Sequence, residues 1–172
     1  MGQYSAGNPG LGSFWLNRLY FCPFVWFPVA SVSVSGISVN VGVAGDSGLA
    51  TFRLGIYNAS TTTGAPTTLV VDAGTVAADT TGLKSVTFNP VTLSPARYFF
   101  GIVWQQSSAA TLTPQFNNRG DVPWYAYATS TAVGSGANFP YQQTGQSGAL
   151  PLVSSSSPSG ENPSPYFSLK VA

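Results

Sequence analysis

The sequence predicts an all-β protein, an antiparallel jelly roll or β-sandwich with a short extended N-terminal arm. Apolar residues recur at period two in one stretch after another, which is the pattern of half-buried strands. No window spaces them as an amphipathic helix does, and 13 prolines are spread through the chain, where each would break a helix. The stretches follow one another at intervals of about 8–12 residues with turn residues between them, as in sandwiches and barrels. A length of 172 residues fits one domain, and 44 % hydrophobic and 13 % aromatic residues supply its core. We divide it into an arm, 1–17, and a body, 18–172.

Residues 1–17 are rich in Gly, Asn and Ser, yet Tyr4, Leu11, Phe14, Trp15 and Leu16 are embedded among them. Free tails rarely carry so many large apolar groups, so this arm is expected to dock onto a neighbour. From Leu19 the alternation begins: Phe21, Pro23, Val25 and Phe27 against Cys22, Phe24 and Trp26, with both faces covered. Val32 and Val34, then Ile37, Val39, Val41 and Val43, form a half-buried strand whose parity breaks at Gly36. Ala50, Phe52, Leu54 and Ile56 share a face opposite Thr51, Arg53, Gly55 and Tyr57.

The stretch from Asn58 to Thr67 reads as a turn. Leu69, Val71, Ala73 and Thr75 open the next strand, with a bulge expected at Gly74. Asp79 to Gly82 is a turn, and Lys84 to Phe88 is a short strand with Val86 inward. The strongest strand is Tyr98 to Gln105, with Tyr98, Phe100, Ile102 and Trp104 on one face and Phe99 and Val103 on the other. From Thr111 to Pro165 the sequence suggests long loops around short strands. The last strand, about Tyr166 to Val171, turns Phe167, Leu169 and Val171 inward.

Charged residues are only 6 % of the chain, against roughly 25 % in ordinary soluble domains. A surface of Ser, Thr, Asn, Gln and Gly suits a protein held in an assembly, where few charges need desolvating on contact. The six basic residues stand singly and the net charge is +1, so nucleic acid, which rewards clustered phosphate contacts, is not an expected partner. The uncharged run from Leu19 to Gly45 is interrupted by Pro23 and Pro28 and alternates with serines, so membrane insertion is not expected. Nothing resembles an export signal. The single Cys22 lies in an apolar run and reads as a small buried hydrophobe. Assembly in a cytoplasm follows from these readings.

The chain has no histidine, which removes the commonest general base and metal ligand together. One cysteine cannot build a zinc site. The carboxylates Asp46, Asp72, Asp79, Asp121 and Glu161 sit singly in turn-like settings, where an Asp usually bonds its own backbone. A glycan hydrolase would need two of them across the scissile bond, and that is the minor alternative. We therefore expect no catalytic, cofactor-binding or metal-binding residues. Aromatic residues are the remaining candidates: Trp124, Tyr125 and Tyr127 cluster after the turn at Gly120–Pro123. Such rings plug sandwich ends, anchor interfaces or stack on sugars. The candidate partner-binding residues are thus Tyr4, Leu11, Phe14, Trp15, Leu16, Trp124, Tyr125 and Tyr127.

One ordered series of residues resembles a known family. It comprises Arg53-Leu54-Gly55-Ile56-Tyr57, Gly64-Ala65-Pro66, Leu69, Asp72-Ala73-Gly74-Thr75-Val76, Thr81-Gly82 and Leu93-Ser94-Pro95-Ala96-Arg97-Tyr98-Phe99. Over about residues 19–105 it is similar to jelly-roll modules of tailed-bacteriophage virion proteins: head decoration (cement) proteins, tail fibres and minor tail proteins. Thr67 after Pro66 and Ala96 after Pro95 depart from the pattern, which has glycine at both places. The resemblance implies a non-enzymatic structural protein on the virion surface. Only about 17 residues precede the first expected strand, which favours a cement protein over a fibre. As implied by the resemblance, it would form a homotrimer bound to the major capsid protein or other virion proteins. The alternative is a tail-fibre or receptor-binding tip that recognises a host glycan.

Overall fold

A computed structural model describes residues 11–13, 15–26, 30–117, 141–158 and 167–172. Among them there is no helix. The strands are β1 (Leu11–Ser13), β2 (Leu19–Trp26), β3 (Val32–Val43), β4 (Thr51–Ala59), β5 (Pro66–Ala77) and β6 (Gly82–Leu93). They continue with β7 (Ala96–Gln105), β8 (Gln115–Asn117), β9 (Tyr141–Gln143), β10 (Ser157–Pro158) and β11 (Phe167–Val171). All their pairings are antiparallel, and the strands form two sheets packed face to face. The predicted all-β sandwich is present.

The pairings follow a nested order. β1 pairs β8, β2 pairs β7, β3 pairs β6 and β4 pairs β5. Cross-links between these couples build the sheets: β8 also pairs β3, and β7 also pairs β4. One sheet therefore holds β1, β8, β3, β6 and β11, and the other runs β10–β9–β2–β7–β4–β5. The short strands β9 and β10 extend the second sheet beyond β2.

Alternation along β3, β4 and β7 puts the large apolar side chains between the sheets. Phe52, Leu54 and Ile56 of β4 and Phe100, Ile102 and Trp104 of β7 meet Ile37, Val39 and Val41 of β3 in one buried cluster. Cys22 is buried in the same cluster, as its sequence context suggests. At one end the ring of Phe167 stacks on Phe100 at 4.4 Å and meets Phe24 edge-on, which fastens β11 over the opposite sheet.

Both irregularities expected at glycines occur. At Gly36 the β3–β6 register shifts, and Phe88, Asn89 and Pro90 of β6 face the single Ser35. The buried apolar side chains consequently step from Val34 to Ile37, with Gly36 buried between them. In β5, Leu54 faces Gly74 while Gly55 faces Asp72, leaving Ala73 as the extra residue. Gly74 adopts φ +93° there, a region that costs other L-residues about 1–2 kcal/mol.

Three details differ from the sequence reading. β6 runs on to Leu93 rather than stopping at Phe88, because the bulge accommodates Pro90, which cannot donate to the ladder. β5 begins at Pro66, three residues before Leu69. Val171 is 59 % exposed rather than inward, because the β11 register shifts between Lys170 and Val171. Of the expected arm, residues 11–13 lie in the first sheet as β1, and Leu16 packs partly buried against the core.

Candidate functional site

The outer face of the second sheet carries its own apolar cluster. Leu19, Phe21, Tyr57, Phe99 and Val103 project there, opposite in parity to the core residues of the same strands, and Leu150 closes over them. The rings of Phe21 and Tyr57 meet edge-on at 5.1 Å, as do Phe99 and Tyr141 at 5.8 Å. The cover is the segment 144–156, which leaves β9, crosses the sheet to β5 and returns to β10. Its ends are therefore joined by the β9–β10 pairing, in the manner of a compact surface loop packed by its own side chains.

Each step of this flap is pinned. Near β9, the backbone N–H of Gln146 donates to the Asn17 carbonyl at 2.8 Å. The Gln105 Nε2 donates to the carbonyls of Gln146 (3.0 Å) and Gly148 (2.7 Å). Leu150 inserts against Gly55, where a Cβ would overlap Leu150 Cδ1 and lie 2.8 Å from the Val71 carbonyl oxygen. The Tyr57 hydroxyl donates to the Pro151 carbonyl at 3.0 Å. Burial, joined by the negative charge of Asp72, raises the Tyr57 pKa above its ordinary value, so this donor keeps its proton. At the far edge Leu69 N–H donates to Leu152 and Ser154 N–H to Thr67, extending β5 by a bridge at Val153.

Asp72 connects the flap to the bulge. Its carboxylate accepts Nε and NH2 of Arg53 at 2.8–3.0 Å, the Gly74 N–H at 3.1 Å and the Leu150 N–H at 3.0 Å. Arg53, Asp72, Gly74, Gly55 and Tyr57 all belong to the ordered series of residues set out in the sequence analysis. In this fold they act together as the seat of the flap.

Asp46 plays a parallel part at the loop end of the sandwich. It is only 8 % exposed, and its carboxylate accepts Gln106 Nε2 at 2.7 Å, the N–H groups of Thr111 and Leu112, and the Thr111 hydroxyl. These donors, the Thr111 hydroxyl foremost and Gln106 next, lower its pKa from 3.8 to about 2. Asp79 accepts the Gly48 N–H at 2.9 Å. The sequence reading, in which turn aspartates bond their own backbone, holds for the Asp72 contact with the Gly74 N–H and is corrected for Asp46 and Asp79. Asp46 reaches a loop more than sixty residues away, because the sandwich brings the two loops together at one end. Among the described residues, Asp46, Asp72 and Asp79 thus each hold structural hydrogen bonds, and no cluster of metal-ligating side chains occurs.

Beside Asp46 lies an open cavity of about 370 Å³, within the size range of small-molecule sites. Asn17, Thr51, Gln105, Gln106, Ser107 and Ser147 line it, with Leu49 and Gly148. Two buried acceptors among these residues, Asn17 Oδ1 and Gln106 Oε1, have no partner. Sequence reasoning did not select these residues.

Of the residues it did select, Tyr4, Phe14, Trp124, Tyr125 and Tyr127 lie outside the described residues. Leu11 falls in β1. Leu16 belongs to the chain's own core, with a bridge to Trp104. Trp15 is 61 % exposed, and the Arg18 guanidinium lies over its ring at 5.4 Å. Comparison with protein-family models, with curated proteins and with solved structures finds no match to this chain.

Proposed function

We propose that the chain is a non-enzymatic structural protein of a tailed-bacteriophage particle, a jelly-roll decoration (cement) protein on the head shell. The carrying observation is the nested pairing of β1 with β8, β2 with β7, β3 with β6 and β4 with β5. A single long hairpin, rolled so that alternate couples fall in opposite sheets, supports the jelly-roll reading of the sandwich. The residues on which the resemblance rests include the Arg53–Asp72 pair and the bulge at Gly74 within the β4–β5 couple, and the Tyr57 hydroxyl that holds the flap. Fold alone does not carry a task, so the head assignment rests on that resemblance and on the charge-poor composition.

In this reading the protein works by burying apolar surface across neighbouring shell subunits. Trp15, Leu112, Leu152 and Val153 stand exposed at loop and flap positions suited to such contacts. No reaction is involved; stabilisation comes from the linked subunits, which resist pressure on the shell.

Addition of the purified chain to shells that lack it tests the proposal. Ordered density on the shell surface, and shells that rupture at higher temperature, are expected. Shells that remain bare at saturating concentrations of the chain would overturn it. Deletion of residues 1–10, which leaves β1 and its pairing with β8 in place, is expected to weaken addition without unfolding the body.

A further inference from the structure

We propose that residues 150–154 of the flap act as a self-bound peptide. Their seat is a recognition groove for an extended, uncharged segment of a partner protein that carries a leucine followed by a proline, and the flap fills it as an autoinhibitory contact. The seat's role does not depend on where the protein sits on a particle.

The hydrogen bonds that seat these residues on the sheet use their backbone. Leu150 N–H donates to the Asp72 carboxylate at 3.0 Å, and the Pro151 carbonyl accepts the Tyr57 hydroxyl at 3.0 Å. The Leu152 carbonyl accepts the Leu69 N–H at 2.9 Å, and the Ser154 N–H donates to the Thr67 carbonyl at 2.8 Å. Val153 and Thr68 form an antiparallel bridge between these two bonds. Of the side chains, Leu150 alone is buried, while Leu152 and Val153 point to solvent. An extended peptide adds to a sheet edge in this way: main-chain bonds give affinity, and a side-chain pocket gives selectivity. β5 is the last strand of its sheet, and an open edge pairs readily with an extended chain.

The floor of the seat stands without the flap. Leu19, Phe21, Tyr57, Phe99 and Val103 lie on β2, β4 and β7, whose ladders to one another do not involve it. The missing Cβ of Gly55 makes the hollow that Leu150 fills. These features set the chemistry of the occupant. A branched aliphatic side chain fits the hollow. The Asp72 carboxylate takes the N–H of that residue and would repel an acid beside it. A proline next in sequence restricts the leucine to extended backbone, the form an edge strand accepts. The flap meets these terms, being uncharged from Tyr141 to Pro158. Its leg toward β9 carries Gly145 at φ +76° and Gly148 at φ +105°, where a Cβ would meet no atom within 4 Å, so this leg can swing without disturbing the sheet.

Fluorescence anisotropy of a labelled peptide spanning Gln146 to Ser156, titrated with the intact chain, tests the proposal. The parent chain, whose seat is filled, is expected to bind it weakly. Leu150→Ala in the chain weakens the resident flap and should tighten binding about tenfold or more, because a larger fraction of seats is open. A peptide with alanine at the Leu150 position should lose that binding. A Leu150→Ala chain that binds no better than the parent, or binding indifferent to the peptide's leucine, would overturn the proposal. Hydrogen exchange of the parent chain needs no variant. Its Leu150 and Ser154 amides should exchange at least about tenfold faster than the paired amides of β4 and β7, through opening of the flap alone, and equal rates would overturn it. A dimer that forms as the parent is concentrated and is lost in Leu150→Ala would assign the seat to a second copy's flap and overturn this occupant.

Discussion

The contact between Leu150 and Gly55 offers a direct test of how the flap is held. Leu150 is 4 % exposed, and full burial of a leucine side chain is worth about 1.5–3 kcal/mol. Leu150→Ala should cost about 2–4 kcal/mol of the flap's attachment, within the range for truncating packed leucines. Gly55→Ala puts a methyl where Leu150 Cδ1 sits and 2.8 Å from the Val71 carbonyl. Overpacking of this kind costs about 1–3 kcal/mol. The two changes should not add, because Leu150→Ala vacates the space that the new methyl needs. A coupling of about 1 kcal/mol or more is expected, with the residual cost of Gly55→Ala arising from Val71. Urea unfolding of the four proteins gives the cycle, and limited proteolysis within 144–156 reports release of the flap. Additivity within about 0.5 kcal/mol would refute the packing argument.

Asp46 gives a pH prediction. Its folded pKa, about 2, lies below the unfolded value of 3.8, so its contribution is fully present above about pH 4 and is lost as pH falls through about 2. Asp46→Asn should be less stable than the parent at pH 5, and the gap in urea midpoint should narrow between pH 4 and pH 2; a constant gap would refute the role given to its hydrogen bonds. Arg53→Met keeps the side-chain stem but leaves Asp72 with backbone donors only. Since the two side chains are 22 % and 20 % exposed, the loss should be about 1–2 kcal/mol in denaturant titration, below that of a fully buried pair. Gly74→Ala should cost about 1–2 kcal/mol by thermal unfolding, for the left-handed backbone it would strain, and an unchanged midpoint would contradict the bulge assignment.

Local pattern carried the fold a long way. The two faces of β7 could be read residue by residue, because alternation alone decides them once a strand is assigned. The break at Gly36 was visible as a three-residue step from Val34 to Ile37, and Gly74 announced itself within an otherwise regular strand. What alternation could not reach were features set by partners distant in sequence. The sequence reading ended this strand at Phe88, whereas the bulge opposite Ser35 carries β6 past Pro90 to Leu93. Val171 was assigned inward by parity, and a register shift turned it out. The flap has no periodicity: it is held by one leucine and by backbone bonds to Asn17, Gln105, Asp72 and β5.

The candidate sites divide along the same line. Single aspartates looked like local turn residues, but Asp46 and Asp72 connect segments that only the sandwich brings together. The cavity draws uncharged residues from four separated stretches, so no spacing marks it in the sequence. The one available signal was the pair of amides, Gln105 and Gln106, at the end of the strongest strand, where apolar alternation stops abruptly.

The central claim, a structural role on the head of a phage particle, is tested most directly by cryo-EM of intact particles assembled with the chain carrying a small density tag. The account predicts tag density repeated over the head shell at sites where capsomers meet. Tag density confined to the tail, or particles that contain none of the chain, would contradict it.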